Sequence, residues 1–429
     1  MSSERRLLVR ALARVEGEGA MSLRVRDGSV EQVALNIYEP PRLFEGLLRG
    51  RAFTEPPDIT ARICGICPIA YQMSSVLAIE DACGVQVTEP IRLLRRLIYC
   101  GEWIESHALH VFLLHAPDFL GYPSGIAMAR EHPRVVENGL ALKKAGNTLI
   151  EAVGGRAIHP VNVRVGGFFR APTRAELAPA REQLQRAREL AIQTVDLAGG
   201  LDFPDFEPDH LMVSLHHDGE YPIDRGRLVS SAGLDAPVAA FGEHVVEEQV
   251  SHSTALHARL DGESYLVGPM ARFNLNFETL APVARQAALQ AGVGPGCANP
   301  FKSIVVRAVE ILHACDEALG LIAAYEPPDP PAIAVEPRAG VGHGATEAPR
   351  GVLYQRYELA GDGTIISALI VPPTSQNQAT IERDLASFAG RHLQLGDAEL
   401  SHRCEQAIRS YDPCISCATH FLRLDVDRG

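Results

Sequence analysis

No run of apolar residues in this chain approaches the ~20 that a helix needs to cross a bilayer. No basic leader followed by a long apolar stretch opens it either. Export and membrane insertion are therefore not expected, and the cytoplasm is the expected compartment. Positive charge is also in short supply. Forty Lys and Arg stand against 53 Asp and Glu, a formal net charge of -13. A surface of that sign repels phosphate backbones and anionic lipid, which argues against a nucleic-acid or membrane partner. Nine cysteines in 429 residues are too few for a disulfide scaffold, and their odd number fits a reducing compartment. Internal repeats, low-complexity tracts and a Gly-rich dinucleotide fingerprint are all missing. What remains, 46% hydrophobic and 22% charged residues, is the composition of a globular protein with a large core.

The pattern along the chain predicts a mainly helical molecule. Met21–Arg26 and Val30–Ile37 alternate around Asp27-Gly28, as a β-hairpin does. From about Ile63 the spacing turns helical. Ile91, Leu94, Leu97 and Ile98, then Trp103, Ile104 and Leu109, share one face. A second helix is expected from Pro133 to about Val153, stopped by Gly154-Gly155. Thr173 and Glu176 form a capping-box pattern. The helix they open should reach Gly199-Gly200 and bury Leu177, Leu184, Ala187, Ala191 and Val195. Residues 210–275 read as strand-rich, with turns at Asp218-Gly219 and Asp261-Gly262. Helices over about 277–292 and about 300–325 follow, then a Pro-rich connector, Glu326–Pro337. Leu353–Pro373 should form strands around Asp362-Gly363. The class is α+β, mainly α-helical: a compact fold with a central helical bundle and peripheral β elements, read as one domain over 1–429.

The chemistry concentrates in two CxxC pairs at opposite ends of the chain, Cys64/Cys67 and Cys414/Cys417. Four thiolates make a soft site that selects a transition metal over magnesium or calcium. Structural zinc is the common use of such pairs, but zinc modules close shorter loops than this one. A redox disulfide and an iron–sulfur cluster are further readings. A c-type haem needs CxxCH, and Ala418 follows Cys417. The other cysteines, Cys83, Cys100, Cys297, Cys315 and Cys404, are expected as buried small hydrophobes. The histidines His107, His110, His115, His216 and His217 are expected as polar packing residues.

The flanks of the pairs narrow the choice. Arg62-Ile63-Cys64-Gly65-Ile66-Cys67 and Asp412-Pro413-Cys414-Ile415-Ser416-Cys417-Ala418-Thr419-His420 resemble the two metal-binding motifs of the nickel–iron hydrogenase large, catalytic subunit. Arg14-Val15-Glu16-Gly17, Phe44-Glu45-Gly46, Gly268-Pro269-Met270-Ala271-Arg272, Glu347-Ala348-Pro349-Arg350-Gly351 and Pro373-Thr374-Ser375-Gln376-Asn377 resemble the same family, in its order. A respiratory-complex relative shares that fold without the cysteines.

The resemblance implies reversible heterolytic cleavage of dihydrogen at a nickel–iron centre whose iron carries one carbonyl and two cyanides. Cys64 and Cys414 would be terminal nickel ligands; Cys67 and Cys417 would bridge the two metals. Cys414 would take the first proton and Glu16 would pass it on, as a buried carboxylate of raised pKa can. Arg350 would overhang the open site beside Pro349, and Thr374 would donate to a cyanide. Asp412 would hold the cysteine loop through local backbone amides. Glu45, the Ile370 carbonyl and His420 would bind a magnesium ion. Relatives end at the histidine matching His420, so a maturation protease would remove 421–429 once metal-insertion proteins had loaded nickel.

Tyr71-Gln72-Met73 after the first pair resembles the soluble bidirectional and sulfhydrogenase class. That implies a small iron–sulfur partner subunit, and diaphorase subunits carrying flavin and more clusters to reach NAD(P). A hydrogen-sensing homologue, a non-catalytic electron-transfer scaffold and a zinc-stapled protein are the competing functions.

Overall fold

The structure, a computed structural model, describes residues 4–419. His420 and the expected cleavable tail 421–429 lie outside the described residues. At the centre stands the Ser303–Ala324 helix, with Val305, Val306, Ala308, Val309, Ile311 and Leu312 all inaccessible to solvent. Its first three turns have no wet face and must be surrounded. The Arg174–Gly199 and Glu89–Leu109 helices pack on it, and Pro133–Gly154 packs on Glu89–Leu109. That last contact is backbone-close: a Cβ on Gly146 would lie 2.5 Å from the Gly101 carbonyl oxygen. The Thr173/Glu176 capping box forms, and the five residues expected on the buried face of its helix are buried.

Three three-stranded antiparallel sheets occur among the described residues, and two of them bear on the site. Glu4–Val9, Gly19–Arg26 and Ser29–Ile37 form the first, in that order. Its hairpin turns at Asp27 (φ 50°) and Gly28 (φ 80°), both left-handed as a type I′ turn requires. Gly340–Ala348, Gly351–Leu359 and Ile365–Val371 form the second. Its first strand lies on the Pro68–Cys83 helix, where Cβ atoms on Gly342 and Gly344 would meet Ala78 and Ser74 carbonyls at 2.0 and 2.2 Å. Only glycine permits that approach, which fixes the sheet over the helix that follows Cys67.

Several expectations need correction. The 277–292 helix covers only Pro282–Gln290, because Ala281, preceding a proline, is driven to an extended conformation (ψ 138°). A separate helix, Pro269–Asn276, precedes it, so the strand-rich stretch ends sooner than expected. The Glu89–Leu109 helix runs on through a wider π-type turn, His110–His115, that a 3.6-residue period does not signal. The edge strand Glu4–Val9 was not anticipated. Cys297 is half-buried, while Cys83, Cys100, Cys315 and Cys404 are buried as expected.

Candidate metal centre

Each CxxC pair sits where the chain changes conformation. Cys64 is extended (φ -141°, ψ 140°) after the turn Ala61–Ile63. Cys67 immediately precedes the Pro68–Cys83 helix, whose first position is a proline with no N–H to leave unpaired. The second pair is shaped by Asp412, left-handed at φ 52°, and Pro413. The Ile415 amide donates to Glu16 O (3.0 Å) and the Cys417 amide to Cys414 O (3.1 Å), which curls the loop so both thiols face one way.

All four sulfurs converge. Sγ–Sγ distances are 3.5 Å for Cys64–Cys414, 3.5 Å for Cys67–Cys417 and 3.0 Å for Cys414–Cys417. These are non-bonded contacts, far beyond the ~2.05 Å of a disulfide. None of the four residues is more than 4% exposed. The thiols titrate as a cluster. Hydrogen bonds from Cys414, then Cys417 and Cys67, hold Cys64 well below its ordinary value. The same contacts, with Cys417 first, push Cys414 well up. Four buried thiols in mutual contact repel one another when ionised and need a cation beside them to ionise together. The donor set therefore fits a soft transition-metal centre.

The space beside the sulfurs is a cavity of about 10 Å³, walled by Tyr71, Ala348, Arg350, Leu353, Pro373 and Thr374. It has room for roughly one water-sized group. Arg350, in the tight turn between the Gly340–Ala348 and Gly351–Leu359 strands, donates to Asp412 O (2.9 Å) and Asp412 Oδ1 (3.1 Å). Asp412 was expected to bond to local amides. Its carboxylate instead faces two buried guanidinium groups, Arg350 and, at 3.9 Å, Arg307, which attract it more strongly than amides do. Thr374 Oγ1 accepts from the Cys414 amide (3.1 Å), leaving the hydroxyl proton free to donate into the cavity. Pro349 lies behind the wall, its carbonyl accepting from Arg272 Nη2 at 3.2 Å.

Glu16 is half-buried. Its Oε2 lies 3.1 Å from Cys414 Sγ and 3.1 Å from the Ser416 amide. Burial, then the Cys64 charge, raises its pKa, against hydrogen bonds from Ser416 and Cys414. Glu45, on the short helix Phe44–Leu48, accepts the Ile370 amide at 2.8 Å, so two of the three expected magnesium ligands adjoin. His420 lies outside the described residues. His107, His110 and His115 are buried; His216 and His217 are half-buried; none joins the cysteines.

Sequence reasoning missed two supports. Arg272 donates to Glu310 (2.8 and 2.9 Å), Glu347 (2.8 Å) and the Ala348 carbonyl (2.8 Å), and lies 4.3 Å over the Trp103 ring. It thereby fixes the turn that carries Arg350. Its motif was noticed, but its partners come from three distant segments. Glu102 accepts the Ile69 and Ala70 amides (2.6 and 3.0 Å) and so caps the helix that starts beside Cys67. A charged residue on the apolar face of the Glu89–Leu109 helix was its available signal.

A sequence model of the nickel-dependent hydrogenase family matches residues 42–138. The chain is 34% identical to sulfhydrogenase 1 subunit alpha of Pyrococcus furiosus, over 96% of this chain and 97% of that protein. It is 29% identical to the NAD-reducing hydrogenase HoxS subunit beta of Cupriavidus necator, over 97% and 95% of the two chains. A solved NAD+-reducing NiFe-hydrogenase in the H2-reduced state superposes with a TM-score of 0.86 at 28% identity, covering 97% of this chain and 99% of that one. A NiFeSe-hydrogenase of Dm. baculatum shares the fold, with a TM-score of 0.78 at 22% identity over 97% of this chain and 100% of that one.

Proposed function

Because the chain belongs to the nickel-dependent hydrogenase family, as the large subunit of a nickel–iron hydrogenase, we propose that it cleaves dihydrogen reversibly at its four cysteines and passes the electrons to an iron–sulfur partner subunit. The observation that carries this reading is one arrangement: four buried, mutually touching cysteine sulfurs with a carboxylate oxygen 3.1 Å from one of them. When bound, the nickel–iron centre supplies an open, redox-active position that polarises dihydrogen. Cys64, Cys67, Cys414 and Cys417 would hold that centre through their four thiolates.

The chain's own groups do the rest. Cys414 Sγ holds a proton and hands it to Glu16 Oε2 without intervening water. Burial raises the Glu16 pKa, so the carboxyl both accepts and releases that proton closer to neutrality. Arg350 places a fixed positive charge over the cavity, held in line by Asp412. Thr374, whose oxygen accepts the Cys414 amide, would offer its hydroxyl proton to a carbonyl or cyanide on the iron. Leu353, Ala348 and Pro373 leave bulk water little space beside the sulfurs. Glu45, the Ile370 carbonyl and His420 would hold a magnesium ion.

The similarity to the HoxS subunit and to the NAD+-reducing enzyme favours NAD(P) as the acceptor, reached through flavin-bearing diaphorase partners. No helix among the described residues is long and apolar enough to cross a membrane. The test is hydrogen-dependent reduction of NAD+, NADP+ and a viologen dye by the chain purified with its natural partners. Both dye and nicotinamide should be reduced. Dye reduction alone would defeat the nicotinamide assignment, and neither, in a nickel- and iron-loaded preparation, would defeat the cleavage itself.

A further inference from the structure

A second group of metal-ligating side chains, separate from the cysteines, is formed by His252, His257 and Glu382. One ligand atom from each lies within 4.8 Å of the others. The three come from different elements. His257 is on the Leu256–Leu260 strand, and His252 is on the loop linking it to its antiparallel partner Val245–Gln249. Glu382 is on the Pro373–Gly390 helix. His252 Nε2 is 2.7 Å from Glu382 Oε1, which also accepts the Leu35 amide at 2.8 Å. That second bond fixes the carboxylate from behind. The two imidazole rings stand nearly perpendicular, 5.6 Å between centroids.

A plain His252–Glu382 hydrogen bond would explain two of the three residues. It does not explain His257. That residue is 2% exposed, and its Nε2 is buried with no hydrogen-bond partner. Leaving a buried ring nitrogen unpaired is costly, and such a group calls for a reason. The His257 ring lies beside that of His252, and a neutral imidazole is a common metal ligand. The other charges near it, Glu248 and Arg259, pair with each other at 2.6 Å.

We infer that His252, His257 and Glu382 form a divalent transition-metal site of the zinc class. Two imidazoles and a carboxylate are a recurrent zinc set, with the fourth position left to water. Tetrahedral zinc with bonds of ~2.0–2.1 Å needs ligand atoms about 3.3–3.5 Å apart. The His252–Glu382 pair, at 2.7 Å, must therefore open while the group closes on His257, and His252 and Glu382 are partly exposed and able to move. The ion would replace the His252–Glu382 hydrogen bond and give His257 Nε2 its partner. It would clasp two elements that support the cysteine loop. Thr254, two residues after His252, donates to the Ile37 carbonyl from its amide (2.8 Å) and its hydroxyl (3.1 Å), and Ala255 clusters with Ile415 and Ala418. The helix carrying Glu382 also carries Thr374, which receives the Cys414 amide.

The test uses the complex purified with its partners, its nickel content measured first, stripped of loose metal with a chelator and then titrated with zinc or cobalt(II) ions. One further zinc per chain should bind beyond the nickel and iron. Cobalt should give the visible absorption of a low-coordinate site. Glu382→Gln keeps the side-chain shape and an oxygen for the Leu35 amide, and His252→Asn is an exposed-side change. Each should weaken zinc binding at least tenfold and remove the cobalt bands, with nickel content unchanged. No extra zinc, or equal binding by both variants, would overturn the site.

Discussion

Replacing Glu16 by glutamine removes a titratable carboxylate 3.1 Å from Cys414 Sγ while leaving its shape almost unchanged. The amide oxygen can still accept the Ser416 amide, now bonded at 3.1 Å, so the cysteine loop should keep its form. What is lost is the ability to take a proton from sulfur and give it up. A positioned general acid–base is worth about 10²–10⁴-fold in rate, or about 2.7–5.4 kcal/mol at ~1.36 kcal/mol per decade. Glu16→Gln should therefore lower dye-linked hydrogen oxidation and deuterium–proton exchange by at least about 100-fold. Nickel and iron content should stay at wild-type levels. Stability should move the other way. The folded pKa of Glu16 is raised, first by burial, so its contribution is fully present below 4.5 and lost as pH rises through the folded value. Above that point the glutamine variant should be at least as stable as the wild type. A fully metal-loaded variant retaining activity within about threefold would refute the relay, since a difference that small is under 1 kcal/mol.

Other perturbations probe the surroundings. Arg350→Leu removes both hydrogen bonds to Asp412 and leaves that buried carboxylate with Arg307 at 3.9 Å. It should cost about 3–5 kcal/mol in denaturant melts, as breaking a buried ion pair does, and lower turnover as well. Gly146→Ala drives a methyl to 2.5 Å from Gly101 O and 2.7 Å from the Glu105 amide. Its overpacking should cost about 1–3 kcal/mol, read from the urea midpoint, with turnover per folded molecule unchanged. His107 is held neutral, down to about 4, first by burial, although Glu310 Oε2 lies 2.9 Å away. Its depressed pKa adds stability above about 6.5 that is lost as pH falls toward 4, by up to about 3 kcal/mol. His107→Gln should flatten that slope in melting temperature against pH.

Local signals were legible in the sequence where chemistry and conformation are set within a few residues. Asp27-Gly28 placed a hairpin turn, Thr173 and Glu176 a helix start, and Gly154-Gly155 a helix end. The two CxxC pairs themselves pointed to one four-thiolate site, but the identity of its metals and the approach of Glu45 to Ile370 were reached only through resemblance, because no periodicity spans such separations. Long-range pairings stayed hidden. Arg272 is tied to Glu310 and Glu347, and Asp412 to Arg350 and Arg307, through segments that meet only in the folded chain. Glu102 was obscured for the opposite reason, because a carboxylate capping another helix looks locally like an interruption of an apolar face. The His252–His257–Glu382 group likewise joins a hairpin to a helix more than a hundred residues later in the chain.

The central claim, a nickel–iron centre on the four cysteines that acts on dihydrogen, is tested most directly by infrared spectroscopy with metal analysis on the mature complex. One nickel per large subunit should be present, with iron in excess because the partner clusters carry it too, and metal-bound carbonyl and cyanide stretches should shift when dihydrogen replaces argon. Zinc in place of nickel, or nickel-loaded protein without such bands, would contradict the account.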